Sequence, residues 1–296
     1  MAVLIIKTAI CLNTMKFIYE IAGVRILCTL PFDIIIQKDS ENFIFPDDGL
    51  PCELNFDFIT VDSIEMPQKY ARAVNTLVCG NKSYFCLSPD SPPYACVTWD
   101  IDACHITCEY LAAFEDELRY SYKLSDFLQL ETLLAAYDGI LLHSSFISAN
   151  GKGILFSAPS GTGKSTQADL WVKYENADIL NGDRAAIRRI NGTWSAFGLP
   201  YAGSSFIFRN ESAPLAAIVI LRQAKENKIR RLMPSEAWKA LYSETTAHIW
   251  DRDFISRTLS LLESLASEVP VYMLECLPDK GAVDITHDTI FKEGKA

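Results

Sequence analysis

The chain has 296 residues, of which 49% are apolar and 22% charged, and its formal net charge at pH 7 is −10. This length suffices for two domains, and the composition is ordinary for a folded globular protein. The acidic balance argues against nucleic acid as the default partner, and no apolar run approaches the ~20 residues that a membrane-spanning helix needs. We therefore expect a cytoplasmic protein with no membrane and no nucleic-acid partner; a homo-oligomer stays open.

Residues 1–14 form an apolar stretch with a single charged side chain, Lys7. A signal peptide is one interpretation, but the charged segment is thin and no small-x-small cleavage site follows. The alternative is that Met15 is the natural start, since residues 16–21 begin a strand pattern. We interpret residues 1–14 as an extension of a cytoplasmic chain.

Eight of the nine cysteines lie in the first 108 residues. The tightest pair, Cys104 and Cys108, has no matching second pair, whereas structural zinc sites usually show two. The odd count favours reduced thiols in the cytoplasm over disulfides.

The composition changes near residue 124, so we predict two domains, residues 1–124 and 125–296. The first contains short β-like runs between turn sequences such as Pro-Asp-Asp-Gly at 46–49. Its predicted strands are residues 17–21, 24–29, 33–36, 56–61, 76–78, 83–87, 94–98 and 103–108. We expect a strand-rich N-terminal domain, in which we find no catalytic motif.

The second half alternates between strand and helix patterns, which predicts an α/β domain. Ser125 is predicted to cap a helix that continues to residue 137. Asn191 and Gly192 stand between two alternating runs and predict a hairpin, and hence a mixed sheet. The predicted strands are residues 140–147, 153–157, 179–181, 185–190, 193–197, 215–221 and 271–275, and the predicted helices are 164–174, 235–244, 251–267 and one from about 282.

Residues 153–166 combine a strand, a glycine-rich loop and the start of a helix, in the sequence Gly-Ile-Leu-Phe-Ser-Ala-Pro-Ser-Gly-Thr-Gly-Lys-Ser-Thr. Glycines let backbone N–H groups surround an anion, and the helix N-terminus adds its positive end. Lys164 is predicted to reach the β- and γ-phosphates, and Ser165 to bind Mg²⁺. The predicted nucleotide-binding residues of this segment are Ser160, Gly161, Thr162, Gly163, Lys164, Ser165 and Thr166.

One residue departs from the usual G-x-x-x-x-G-K-[ST] pattern, because Ala158 stands where the first glycine is expected. Alanine tolerates most backbone conformations except positive φ, so we expect a slightly reshaped start of the loop.

Phosphate transfer also needs a carboxylate, either for the metal or for the proton of the incoming hydroxyl. The candidate is Asp183, directly after the strand at 179–181; the alternative is a structural aspartate in an Asn-Gly-Asp turn. His143 lies inside the strand ahead of the loop, where a lone histidine is more often a core residue than a functional one. Arg209, in the loop at 203–210, is predicted to face the phosphates or an acidic co-substrate.

Three features together resemble the core of HPr kinase/phosphorylase: His143, residues 159–166, and Ile-Leu-Asn-Gly-Asp at 179–183. Residues 197–203 resemble the Gly-x-Pro-x-x-Gly segment of the related phosphoenolpyruvate carboxykinases. The sequences at 269–274 and 278–283 resemble the C-terminal signature of HPr-kinase-like proteins. The resemblance covers about residues 125–290 and implies a P-loop kinase-like core. It departs at Arg184, where the relatives carry a second acid.

The resemblance implies an ATP- and Mg²⁺-dependent phosphotransferase that acts on a hydroxyl, in particular a Ser, of a peptide, protein or small molecule. Asp183, His143 and Lys164 would be its catalytic residues, with Ser165 and Asp183 as metal ligands. HPr itself is not the expected acceptor, because further signature residues of HPr kinases have no counterpart here. The alternative is a nucleotide-binding regulatory or peptide-binding accessory protein with little turnover, which the single acid at 183 keeps open.

Overall fold

A computed structural model describes residues 4–5, 14–201, 203–246 and 252–292. The chain divides into two compact units, Met1–Gln129 and Leu130–Ala296. The domain boundary predicted after residue 124 stays a prediction. The interpretation of residues 1–14 as an extension falls mostly outside the described residues.

The N-terminal unit is rich in strands. Its elements are β1 (Leu4–Ile5), β2 (Met15–Ile21), β3 (Val24–Leu30), β4 (Ile35–Ile36), β5 (Ile44–Pro46), β6 (Leu54–Val61), β7 (Ala71–Ala73), β8 (Thr76–Cys79), β9 (Lys82–Cys86), β10 (Pro93–Asp100), β11 (His105–Leu111), α1 (Glu115–Leu118) and α2 (Tyr122–Leu128). Nine of the described strands form one sheet in the order β5-β2-β3-β6-β11-β10-β9-β8-β7. This sheet is mixed, because β6 runs parallel to β3 and β11 while its other pairs are antiparallel.

Alternation of side chains explains why this sheet forms. Along β3 every second residue is fully buried, as expected for a strand with one face on a core. The core is aromatic: the ring of Phe127 on α2 lies 4.7 Å from that of Phe85 and 6.1 Å from that of Phe58. The short strands β5 and β7 were not predicted, because runs of three residues show no clear period.

The C-terminal unit interleaves helices and strands. Its elements are α3 (Leu130–Ala136), β12 (Gly139–Ala149), β13 (Lys152–Ser157), α4 (Lys164–Glu175), β14 (Asp178–Asn181), β15 (Arg184–Ile190), β16 (Thr193–Phe197), β17 (Ser212–Gln223), β18 (Lys228–Arg231), α5 (Pro234–Glu244), α6 (Arg252–Glu268), β19 (Val271–Cys276) and α7 (Lys280–Phe291). Their eight-stranded sheet is also mixed, since β17 runs parallel to β13 and β19 while the other pairs are antiparallel. The predicted α/β class with a mixed sheet and strand-rich content is confirmed.

The helix predicted from Ser125 to residue 137 is wrong. The structure has two helices there, α2 and α3, which are separated by Gln129 with a φ of 43°. One left-handed residue interrupts the helix without changing the spacing of the apolar residues along the sequence, so the periodicity alone did not reveal the break. Ser125 lies within α2, and its Oγ is 2.6 Å from the Oη of Tyr19.

The hairpin predicted at Asn191-Gly192 is confirmed. Both turn residues have positive φ, 49° and 81°, as a two-residue type I′ turn requires. Strand β18, in contrast, was not predicted. Its sequence Lys-Ile-Arg-Arg is largely exposed and has the composition of a surface loop.

Helices cover both faces of the second sheet. On β17, Ile218 and Ile220 belong to one apolar cluster with residues of α5 and α6, whereas Val219 and Leu221 belong to another with residues of α4 and α7. Neighbouring side chains of a strand point to opposite faces, so a continuous apolar run is what a strand covered on both sides requires. Helix α4, which follows β13 in the chain, packs on one of these two faces.

Among the described residues, no helix is both long and apolar enough to cross a bilayer. No group of three or more His, Cys, Asp or Glu side chains in the described ranges is arranged to hold a metal ion. The eight cysteines within those ranges are free thiols.

We expect Gly198→Ala to lower the free energy of unfolding more than Gly192→Ala. A Cβ at Gly198 would lie 2.0 Å from the backbone oxygen of Arg209, so the backbone would have to move; overpacking of this kind costs about 1–3 kcal/mol or more. At Gly192 there is open space, and only the positive φ opposes a side chain, at about 1–2 kcal/mol. Urea unfolding measures both, and the reverse order would contradict the close approach at Gly198.

Candidate functional site

The loop between β13 and α4, residues 158–163, is shaped by two glycines. Gly161 and Gly163 have φ values of 80° and 119°, which L side chains rarely adopt, so both positions need glycine. Gly163 is also the N-cap residue of α4. The first N–H groups of a helix lack partners within it, and the helix dipole adds partial positive charge there. The loop and helix start therefore form a surface that favours an anion.

Ala158 fits its position without strain. It is fully buried and is not among the described residues with positive φ. Its carbonyl oxygen accepts a hydrogen bond of 2.8 Å from Nζ of Lys164. The glycine that the usual pattern places here is therefore not required by the backbone, and the strain that alanine would suffer at positive φ does not arise.

Lys164, the first residue of α4, is 8% exposed. Burial lowers the pKa of Lys164 below its usual value, while the negative charges of Glu244 and Asp183 act in the opposite direction. A cation that is partly removed from water interacts more strongly with nearby anions than an exposed one. Lys164 is thus suited to hold an anion at the loop.

The loop borders a cavity of about 300 Å³. Most of the predicted site residues meet at this cavity: Ser160, Gly161, Gly163, Lys164, Ser165 and Thr166 from the loop and helix, together with His143 and Asp183. Thr162 lines a neighbouring cavity of about 410 Å³ instead. Residues far apart in the sequence are thus brought together, although their roles stay predictions.

Asp183 lies in a break between two strands that both pair with β12. Asn181 of β14 is opposite Phe146, and Arg184 of β15 is opposite His143. The two residues between them, Gly182 and Asp183, are outside both strands but stay in step with β12, since the backbone N–H of Ser144 donates to the carbonyl of Asp183 at 3.0 Å. Ser145 Oγ donates to the carbonyl of Gly182, also at 3.0 Å.

The side chain of Asn181 holds this break in place. Its Oδ1 accepts hydrogen bonds from the backbone N–H groups of Asp183 and Arg184, at 3.0 and 3.1 Å. Its Nδ2 donates to the carbonyls of Leu199 and Tyr201, at 3.1 and 2.8 Å. Asn181 is fully buried, and it positions Asp183. The sequence signal was present, because Asn-Gly-Asp is typical of a turn closed by an asparagine side chain.

Two glycines allow a short 3₁₀ turn, Gly203–Ser205, to approach Asp183. A Cβ at Gly182 would lie 2.3 Å from Cβ of Ser205, and a Cβ at Gly203 would lie 3.0 Å from the carboxyl carbon of Asp183. Ser205 itself lines the cavity. The glycines in both segments are thus explained by close packing around the carboxylate.

His143 stands between two carboxylates. Its Nδ1 is 3.0 Å from Oε2 of Glu244, and its Nε2 is 3.8 Å from Oδ1 of Asp183. Because a carboxylate only accepts hydrogen bonds, the contact at 3.0 Å places a proton on Nδ1. In a neutral imidazole, Nε2 is then left as an acceptor beside the cavity and Asp183.

Sequence reasoning missed Glu244, the last residue of α5. It is separated from His143 by a hundred residues and belongs to no motif. The contact depends on the fold: a bridge between Leu142 and Thr245 joins the end of α5 to β12. Glu244 therefore supplies a carboxylate that the local sequence around Asp183 lacks.

Two arginines near the site are paired with carboxylates. Arg209 is not among the residues that line the cavity; its Nη1 lies 3.2 Å from Oδ1 of Asp178 and 3.7 Å from Oε1 of Glu211. Pairing with these carboxylates holds it there, and its predicted contact with the phosphates or an acidic co-substrate stays a prediction. Arg184, where relatives carry a second acid, has Nε 3.5 Å from Oδ2 of Asp183 and Nη1 3.3 Å from the hydroxyl of Thr246.

The chain matches the family model described as "SynChlorMet cassette protein ScmC" over residues 106–279, more than half of its length. No match was found among curated proteins. A solved structure of the HPr(Ser) kinase/phosphatase from Coxiella burnetii is similar, with a TM-score of 0.32 and 9% identity, over 52% of this chain and 90% of that chain.

We expect Asn181→Leu to lower the free energy of unfolding by at least about 2 kcal/mol, because it removes a buried amide and leaves four buried or partly buried backbone groups without that partner. Ser144→Ala is the matched control, since Ser144 is equally buried on the adjacent strand but its Oγ makes only a 3.3 Å hydrogen bond to the carbonyl of Leu142. Urea unfolding of the two variants gives the comparison. Equal losses would show that Asn181 does not hold the break.

Proposed function

The chain belongs to the family described as SynChlorMet cassette protein ScmC, and we propose that it is an ATP-dependent phosphotransferase that moves the terminal phosphate to a hydroxyl group. One observation carries the proposal: Lys164, Asp183 and His143 meet at one cavity at the end of a loop that is suited to bind an anion. The family description names no chemical activity, so the proposal depends on this geometry and on the sequence resemblance.

We propose that residues 158–166 are a P-loop. Glycines at 161 and 163 leave room for phosphate oxygens close to the backbone, since a Cβ at either position would point into open space and none is present. Lys164 now donates to the carbonyl of Ala158, and the bound β- and γ-phosphates would compete for the same ammonium group. The electrostatic contribution of Lys164 to phosphate binding would be large because this cation is partly desolvated.

The donor set at the cavity fits Mg²⁺, which prefers hard oxygen ligands. Ser165 offers a hydroxyl at the start of α4, and Asp183 offers a carboxylate. When bound, ATP would supply the phosphoryl group, and Mg²⁺ would neutralise part of the negative charge of the phosphates. The role of the protein is to hold the phosphates in line with the acceptor, which is where most of the rate gain in phosphoryl transfer arises.

In the proposed step, the acceptor oxygen forms a bond to the γ-phosphorus and the bond from that phosphorus to the β,γ-bridging oxygen breaks. ADP leaves with the electron pair of the broken bond. The hydroxyl proton passes to Nε2 of His143 or to Oδ1 of Asp183. These two atoms are 3.8 Å apart. Glu244 keeps Nδ1 of His143 protonated and stabilises the imidazolium that forms.

Glu244 provides a second acid, which the sequence lacks at position 184, where this chain has Arg184. Relatives by resemblance carry two neighbouring acids, whereas this chain has Asp183 followed by a cation. Here a second carboxylate, from Glu244 on α5, lies 3.0 Å from Nδ1 of His143, whose Nε2 is close to Asp183. The site thus contains two acids, although they come from different elements of the fold.

The acceptor is proposed as a hydroxyl, in particular a Ser, of a peptide, protein or small molecule. A second candidate function, a nucleotide-binding regulator with little turnover, is favoured by one observation: Nε of Arg184 is 3.5 Å from Oδ2 of Asp183. A cation at that distance competes with a metal ion for the oxygens of the carboxylate. The experiments below separate the two functions.

We expect Asp183→Asn to retain ATP binding and to reduce phosphate transfer by about 100-fold or more, the scale of a lost proton acceptor or metal ligand. The measurement is transfer from γ-labelled ATP to water and to a panel of hydroxyl acceptors, including peptides with and without Ser. Asp178→Asn is the matched control, because this acid lies on β14 but is exposed and paired with Arg209.

Equal losses in Asp183→Asn and Asp178→Asn would contradict the role of Asp183. Tight binding of ATP to the unaltered protein, without transfer to water or to any acceptor, would favour the regulator. A Lys164→Ala variant that binds ATP normally would refute the P-loop itself.

We expect Glu244→Gln to lower the rate of transfer about tenfold or more without weakening the binding of ATP. An amide no longer stabilises a positively charged imidazole. Its NH₂ group can also donate to Nδ1 of the histidine, which favours the tautomer with the proton on Nε2. Glu263→Gln, on the exposed side of α6, controls for the loss of one charge. An unchanged rate, or an affinity for ATP that falls together with the rate, would show that Glu244 does not act through His143.

A further inference from the structure

Strand β18 is an edge of the second sheet. It pairs with β19 on one side, and among the described residues no strand pairs with its other side. The outward backbone groups of an edge strand are a template on which an extended segment of another chain can pair. Which groups face outward, and which side chains accompany them, decides what the edge can bind.

The register shows which backbone groups of β18 face outward. The N–H of Leu232 donates to the carbonyl of Val271 on β19, at 2.8 Å. Hydrogen-bonded and non-bonded pairs alternate along an antiparallel ladder, so Arg230 also bonds to β19. The N–H and carbonyl groups of Ile229 and Arg231 point away from β19. No described residue bonds to them.

The side chains of the same two residues, Ile229 and Arg231, line a cleft of about 570 Å³. Ile229 packs in the apolar cluster that includes residues of α4 and α7, and Arg231 lies on the same face of the strand by alternation. The other walls are largely apolar and include Pro270, Ile285 and Ile290. A strand added to β18 would therefore place every second side chain over this cleft.

Arg231 gives the cleft its charge. No carboxylate among the described residues pairs with its guanidinium, and the described lining contains no acidic residue. Arg230, in contrast, is paired with Glu236 on α5. A cation without a partner beside apolar walls favours a ligand that carries a carboxylate next to an apolar group. A second copy of β18 would bring further cations to the edge, which opposes pairing between copies.

We infer that β18 binds an extended peptide segment of a protein partner, in which one position separates an acidic residue from an apolar one. The segment adds a strand to the sheet. Its carboxylate pairs with Arg231, and its apolar side chain enters the cleft beside Ile229.

This surface lies away from the glycine loop. Strands β13 and β17 are parallel; the loop follows the end of β13, whereas the cleft reaches Ala216 near the start of β17. The inference therefore goes beyond the proposed function, and it does not depend on nucleotide binding or phosphate transfer.

The test uses capped, fluorescently labelled heptapeptides Thr-Z-Thr-Glu-Thr-Z-Thr, in which Z is Val, Ile, Leu, Phe or Tyr. Alternation places Glu and both Z residues on one face of the extended peptide. Fluorescence anisotropy at low salt measures binding to the whole chain. One control set has Lys in place of Glu, and the other has the same composition without alternation. The best peptide should bind about tenfold more tightly than both of its controls.

Arg231→Gln should weaken binding of the best peptide about tenfold, the scale of one charge-assisted hydrogen bond. Lys228→Gln is the matched control, because it removes a cation from the same strand but from the opposite face, where Lys228 is paired with Glu226. Circular dichroism checks that both variants are folded. Equal affinities of the two variants for the peptide would overturn the role of Arg231.

Amide hydrogen exchange, followed by NMR, tests the backbone pairing without a variant. The bound peptide should slow exchange at Ile229 and Arg231 several-fold and leave Arg230, which already bonds to β19, unchanged. Binding that changes none of these amides would overturn strand addition. No binding of any heptapeptide at millimolar concentration would overturn the inference as a whole. A dimer that protects the same two amides without peptide would assign the edge to a second copy and overturn it as well.

Discussion

The candidate site depends on one constraint in the second sheet: β12 pairs along its length with β14 and β15, and the ladder is interrupted at Gly182 and Asp183. The register is preserved across the gap, so the strands stay aligned while two residues are released from regular pairing. The buried amide of Asn181 satisfies the N–H groups of this segment. A carboxylate is thereby held by backbone geometry rather than by a mobile loop, next to His143 on the opposing strand.

Charge completes the site. Lys164 is a buried cation, with Asp183 and Glu244 close enough for their charges to oppose the burial that lowers its pKa. Such a group of charges around one cavity favours a ligand that carries both signs, as a polyphosphate with Mg²⁺ does. Arg184, whose Nε lies 3.5 Å from Oδ2 of Asp183, adds a second cation to this group. The carboxylate of Glu244, on α5, balances the positive charge of Arg184.

Local sequence predicted much of this fold and part of the site. The loop glycines, α4 and the Asn191-Gly192 hairpin each follow from short-range chemistry, namely positive φ, helix starts and strand alternation. Glu244 could not be found, because its contact with His143 spans a hundred residues and no pattern marks it. The pairing of Arg209 with Asp178 was not predicted, because the sequence does not show which carboxylate an arginine will contact. The break at Gln129 was not predicted either, because one left-handed residue does not change the spacing of the apolar residues.

We propose that the chain moves the terminal phosphate of ATP to a hydroxyl. The most direct measurement is ³¹P NMR of the unaltered protein with ATP, Mg²⁺ and a mixture of hydroxyl-containing peptides and small molecules. We expect ADP and a phosphate monoester to appear in equal amounts, and neither to appear with Lys164→Ala. ATP that binds through Lys164 but stays intact throughout would contradict phosphate transfer.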